Sequence, residues 1–179
     1  SRCRRERRAA PAADADGPIV TGVLGPDGSR LVQSDVLASS PSLTKMTVLF
    51  SEELSTRGGT TGLDSVLNPN NWILERNGTE LPGAVTNVDF HLNAATRKYE
   101  AVLTLNGNGG GSGASALTAG NYVLTVRDTI NDSYNWNSVT QANKFFLGNG
   151  LDGDFNGSAG TAPTGTGAPG YKFEFNVAA

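Results

Sequence analysis

Residues 171–177 read YKFEFNV, and the phase of that stretch decides the fold. Tyr171, Phe173, Phe175 and Val177 fall on one side; Lys172, Glu174 and Asn176 fall on the other. A period of two marks a strand with one face in a core and the other in water, the situation of antiparallel sheets. The same phase recurs upstream. NYVLTVRD places Tyr122, Leu124 and Val126 inward, and KYEAVLTL places Tyr99, Ala101, Leu103 and Leu105 together. AVTNVDFHL aligns Ala84, Thr86, Val88, Phe90 and Leu92, KMTVLFS aligns Met46, Val48 and Phe50, and NWILER offers Trp72 and Leu74 to the core. PIVTGVL and NKFFLG are shorter candidates, and RLVQSDVL is the weakest.

Clusters of Gly, Asn, Pro and Asp separate these segments. Asn77-Gly78 is the dipeptide of a tight hairpin, because both residues accept positive φ. NGNGGGSGASALTAG reads as a flexible loop or the tip of a long hairpin. TGLDSVLNPNNW holds at most one helical turn, expected to stop before Pro69. No segment carries a helical stripe longer than two turns. The sum is an all-β chain, an antiparallel immunoglobulin-like β-sandwich of about seven to nine strands.

The bulk properties agree. The 179 residues suit one domain of residues 17–179 preceded by an arm of residues 1–16. Only 17% of residues are charged while 23 are Gly, a balance that suits a turn-rich extracellular module better than a helical cytosolic enzyme. Five of the 14 basic residues, Arg2, Arg4, Arg5, Arg7 and Arg8, lie in the first eight positions; without them and Glu6 the body has nine basic and sixteen acidic residues, net −7. An acidic body disfavours nucleic acid and favours cations. Arg4, Arg5, Arg7 and Arg8 form either a solvated tail or an arm that meets the acidic body of a neighbouring copy. Cys3 is the only cysteine, so no disulfide within the chain staples the fold. No apolar run approaches the roughly 20 residues of a membrane-spanning helix. No leader-type apolar segment is present either, so export would place that signal upstream of residue 1.

One turn has the chemistry of a cation ligand set. In LDGDFNGSAG, residues 151–160, Asp152, Asp154, Asn156 and Gly157 follow the order D-x-D-x-N-G, the first half of an EF-hand calcium loop. The twelfth position, which that loop fills with a bidentate Glu, is Pro163 here. With no helix before the loop and a Gly/Pro/Thr stretch after it, the pattern argues against an EF-hand sensor. Two readings fit: a Ca2+ site at the sandwich edge, completed by Asp128 or Asp132 and backbone carbonyls, or a turn whose Asp and Asn side chains bond their own backbone. Tyr134 and Trp136 stand among polar residues, where they stack on a glycan or plug the open end of the sandwich.

The constellations of catalysis are missing. His91 is the only histidine, and its phase puts it on the outer face beside Asp89. No G-x-S-x-G turn presents a nucleophile, and no glycine-rich loop opens a helix to hold phosphate. One His and one Cys cannot supply the usual zinc ligands. The expectation is a protein that is not an enzyme.

Taken in order, KMTVLFSEEL, NPNNWILERNG, LTAGNYVLTVRDTINDS, LDGDFNG and YKFEFNV resemble the bacterial immunoglobulin-like domains of large secreted and cell-surface proteins of the planctomycete kind. In that family a strand ending F-S-E/D precedes an N-x-x-N-aromatic strand. An L-x-x-G-x-Y strand, an L-D-G-D turn and a final F-x-F-x-V strand follow. The likeness spans residues 17–179. This chain departs from it where SYNWNSVTQANKFFLGNG separates the acidic Asp128–Asp132 turn from Asp152. The resemblance implies a structural or adhesive role at the cell surface, with self-association or neighbouring domains as partners and a glycan as the alternative.

Overall fold

The computed structural model describes residues 17–38, 43–110, 112–133, 150–152 and 170–179. Within them the alternating segments become strands that stack as two five-stranded sheets. The first sheet contains β1 (Val20–Leu24), β2 (Arg30–Leu31), β4 (Lys45–Phe50), β7 (Val85–Asn93) and β8 (Lys98–Leu105), in the order β2-β1-β4-β8-β7. The second contains β3 (Asp35–Leu37), β5 (Trp72–Arg76), β6 (Thr79–Glu80), β9 (Gly120–Arg127) and β10 (Gly170–Val177), in the order β3-β10-β9-β5-β6.

All named pairings but one are antiparallel; β3 lies parallel to β10. Among the described residues there are ten strands, more than the expected seven to nine, because Thr79–Glu80 add a short strand after Asn77-Gly78 and RLVQSDVL divides. Its start pairs with β1 in one sheet and its end with β10 in the other. This is why no single alternation runs through it.

β9 and β10 form the centre of the second sheet, paired in continuous register from Gly170↔Arg127 to Val177↔Gly120. That register sets Phe173 opposite Leu124 and Phe175 opposite Tyr122. The Tyr122 and Phe175 rings stack at 5.3 Å, and Phe173, Phe175 and Val177 are buried as the period of two demands. Phe50 of β4 meets Trp72 of β5 edge-on at 6.2 Å, which joins the sheets across the core.

Setting aside β2 and β3, the sheets run β1-β4-β8-β7 and β10-β9-β5-β6. That is the A-B-E-D and G-F-C-C′ order of an immunoglobulin-like sandwich. Two further hallmarks coincide with it. A Trp on the third principal strand, Trp72, is buried and donates through Nε1 to the Val66 carbonyl at 2.9 Å. Tyr122, near the start of β9, donates through its hydroxyl to the Thr118 carbonyl four residues upstream at 2.8 Å, the corner tyrosine of these folds. Tyr122→Phe keeps the ring stack and removes only this bond. Chemical denaturation should show a loss of about 1 kcal/mol; an unchanged midpoint would mean that the bond contributes nothing net.

Three local expectations change. A bulge between Val85 and Asn87 shifts the β7–β8 register, so Ala84 and Val85 are both buried. Thr86 turns away from the core, and its hydroxyl donates to the Thr104 and Gly113 carbonyls. Pro69 does not end a helical turn. It opens a short 3-10 turn, Pro69–Asn71, whose Asn70 N–H donates to the Asn68 side chain at 3.1 Å, because proline loses nothing where no N–H partner is needed. Finally, the glycine-rich loop is not a free tip. Asn106 is buried and bridges to Ser115, and Gly110 N–H donates to the Pro82 carbonyl at 2.6 Å. The expected strand in NKFFLG lies outside the described residues.

Candidate functional site

Asp152, the first ligand of the acidic turn predicted to hold a cation, lies at the end of the sandwich where the described chain begins. Four segments meet there. The chain leaving β4 turns at Ser51–Ser55, and Ser51 N–H donates to the Ile19 carbonyl at 3.0 Å. The chain leaving β9 passes beside it: Ser55 N–H donates to the Asn131 carbonyl at 2.8 Å, and Ser133 N–H to the Glu53 carbonyl at 2.9 Å. Gly150–Asp152 add a third pass, with Leu151 N–H bonded to the Ile130 carbonyl at 2.9 Å and Asp152 N–H to the Pro18 carbonyl at 3.0 Å. Beneath them Leu54, Val66, Ile130 and Leu151 form a buried apolar plug. Backbone bonds from separate segments therefore fix these acids in place.

Asp132 and Asp152 are each only 2% exposed. The passes that carry them are bridged at Asn131↔Gly150, and Asp132 is itself bridged to Leu54. Two buried carboxyl groups are thus carried to this end by bridged segments. Asp128 is less enclosed. Desolvation pushes its carboxyl above the usual aspartate range, against the neighbouring Arg127 charge and backbone N–H bonds that pull it down. Its folded pKa is thus raised, so the stability it contributes is full at low pH and is lost as pH rises through that value.

Asp128, Asp132 and Asp152 thus belong to one end of the molecule. Asp154 and Asn156, which complete the predicted turn, lie outside the described residues, as do Tyr134, Trp136 and the arm with Arg4, Arg5, Arg7 and Arg8. Among the described residues no three His, Cys, Asp or Glu side chains converge as a metal site does. A calcium ion here therefore depends on the oxygens of Asp154 and Asn156 joining Asp152.

Sequence reasoning did not anticipate how the sheet borders are finished. At the border of the second sheet, β3 covers only Phe175–Val177 of β10. Below it the Gln33 side chain serves as a surrogate strand: its Nε2 donates to the Lys172 carbonyl at 3.0 Å and its Oε1 accepts from Glu174 N–H at 2.7 Å. At the facing border of the first sheet, β2 covers the upper half of β1, and Arg30 Nη2 donates to the Thr21 carbonyl at 2.7 Å. Between these borders lies a lateral cleft of about 440 Å³ lined by Thr21, Arg30, Gln33 and Tyr171. Burial pushes the Tyr171 hydroxyl up, in spite of the opposing Arg30 charge.

The other border of the first sheet is different. β7 is nine residues long and, among the described residues, is hydrogen-bonded along one side only, to β8. His91 and Asp89 stand on its outer face as the phase predicted, Nδ1 to Oδ2 3.9 Å apart. Among the described residues no helix is long and apolar enough to cross a membrane. Comparison with known protein families, curated proteins and solved structures finds no match to this chain.

Proposed function

We propose that this chain is a non-enzymatic, extracellular structural module. It is a cell-surface or self-assembling subunit, joined to copies of itself or to neighbouring domains through edge strands or the arginine arm. The observation that carries this reading is the β7 border, since a long strand with one free side is a template for another strand. The sequence adds support: a low-charge, glycine-rich body of net −7 and an arm holding five arginines are complementary halves of a head-to-tail contact.

Calcium at the Asp152 turn is the second element of the proposal, with the task of stiffening the end where four segments meet. The buried carboxylates of Asp132 and Asp152 favour it. A millimolar site given tenfold excess calcium gains about 1.4 kcal/mol, which corresponds to a melting rise of roughly 3–6 °C. Asp152→Asn should abolish that rise, and a wild-type melt indifferent to calcium and chelator would remove the ion from the account.

Negative-stain microscopy of the purified full chain tests the assembly itself. Ordered oligomers or fibres formed without added ligand are expected. Isolated particles at every concentration, with retention on a polysaccharide column, would point instead to a glycan-binding module.

A further inference from the structure

We propose that the free border of β7 is a self-pairing surface, on which β7 of a second copy adds antiparallel about a two-fold axis at Phe90. The inference rests on the assembly reading above and names the strand, the partner and the register.

The backbone fixes which groups are available. Leu105 N–H donates to the Thr44 carbonyl at 2.8 Å, and Asn106 N–H donates to the Ala84 carbonyl at 2.7 Å. Odd residues of β8 therefore face β4, and even residues face β7. The pairs Asp89↔Val102 and His91↔Glu100 are in register, so the N–H and C=O groups of Asp89 and His91 are consumed in the β7–β8 ladder. By alternation, those of Val88, Phe90 and Leu92 point away from β8. A second β7 centred on Phe90 sets Val88 opposite Leu92, Phe90 opposite Phe90, and Leu92 opposite Val88. These are the hydrogen-bonded positions, and they supply about six new backbone bonds.

Side chains select that register. On the outer face Asp89 then lies opposite His91 of the second copy, twice, at the positions where antiparallel side chains approach most closely. The Asp89 and His91 side chains are 72% and 46% exposed, so neither has to leave a buried partner. Moving the axis to Asp89 would set two aspartates face to face, a repulsive arrangement. On the inner face Leu92 is 52% exposed although its phase points it toward the core, because β6 at the facing border is only two residues long. In the pair, Leu92 covers Val88 of the second copy, and the Phe50, Phe90 and Tyr99 rings, already in contact at 6.4 and 6.0 Å, continue across the axis.

The remaining described borders make poorer templates. β2 and β6 have two residues each and β3 three, and Gln33 and Arg30 side chains occupy backbone groups beside them. β7 has no proline and no inward-pointing charge, two usual protections of an exposed border, and its bulge at Val85–Asn87 lies before the Val88–Leu92 stretch that pairs. A two-fold pair closes on itself, so larger assemblies need the arm as a second contact.

The test is sedimentation of the full chain across concentration, with reductant present so that Cys3 cannot link copies. His91→Glu should weaken pairing tenfold or more, since it sets two acids opposite one another, and Asp89→Lys, which removes the acid that faces His91, should weaken it as well. The double variant should restore pairing to within about threefold of wild type. Leu92→Pro removes an N–H that β8 does not use, a position where a border strand tolerates proline, and should also weaken pairing at least tenfold with its melting curve retained. If wild type associates and all four variants associate equally well, β7 is not the contact and assembly uses another surface. If wild type stays monomeric throughout, this inference and the assembly reading fall together.

Discussion

Phe175→Ala should destabilise the protein by about 3–5 kcal/mol, the range for emptying a large aromatic site in a packed core. Phe175 sits at the middle of the β9–β10 ladder, opposite Tyr122. Its ring stacks on Tyr122 at 5.3 Å and on Phe173 at 6.2 Å, and only 1% of the residue is exposed. The sheets on either side are tied by backbone bonds, so the cavity cannot collapse. Equilibrium denaturation reads the loss directly, and the melting temperature should fall by roughly 6–20 °C. Glu174→Ala, one residue away on the outer face, is the control and should stay within about 0.5 kcal/mol. Similar losses for the two variants would refute the inward and outward assignment of β10.

Gly107→Ala should rank next, at about 3 kcal/mol, although it adds one methyl group to a loop. The reason is backbone proximity. A Cβ at Gly107 would lie 2.1 Å from the Ala116 carbonyl oxygen, and backbone on both sides is fixed: Gly107 N–H donates to the Ser115 carbonyl at 3.0 Å, and Leu117 N–H to the Leu43 carbonyl at 3.1 Å. Relief therefore requires moving a strap anchored by the buried Leu117. Gly110→Ala in the same run makes the contrast. No atom approaches its Cβ position, so its cost is limited to the strain of φ +57°, about 1 kcal/mol. Equal melting curves for the two variants would mean that the loop is the free tip its composition suggests.

The strands were legible because burial on one face leaves a mark at every second residue. YKFEFNV, NYVLTVRD and KMTVLFS needed nothing beyond that mark, and each is buried in the expected phase. Asn77-Gly78 was legible for a different reason: the hairpin demands positive φ at both residues, and they adopt 51° and 77°. The signal failed where a residue's role is set by a distant neighbour. Thr86 keeps the phase of Val88 in the sequence, but a bulge carries it off the core face. RLVQSDVL changes sheets partway, which no period can encode. Gly107 resembles its flexible neighbours because the close approach of Ala116 is a tertiary fact. At the candidate site, the burial of Asp152 and its place beside the Asp128–Asp132 turn depend on the backbone bonds of Asp152 to Pro18 and of Leu151 to Ile130, contacts between segments that local sequence does not join. The β7 border was hidden for the same reason: its alternation shows a strand, and only the sheet order shows that, among the described residues, one side has no partner strand.

Amide hydrogen exchange of the full chain at rising concentration tests the central claim most directly, because β7 carries its own internal standard. Asp89 and His91 should be protected at every concentration, since β8 holds their N–H groups. Val88, Phe90 and Leu92 should exchange freely in dilute solution and become protected as copies associate. Three amides that stay exposed in concentrated samples, between neighbours that stay protected, would contradict a module that joins its copies along this strand.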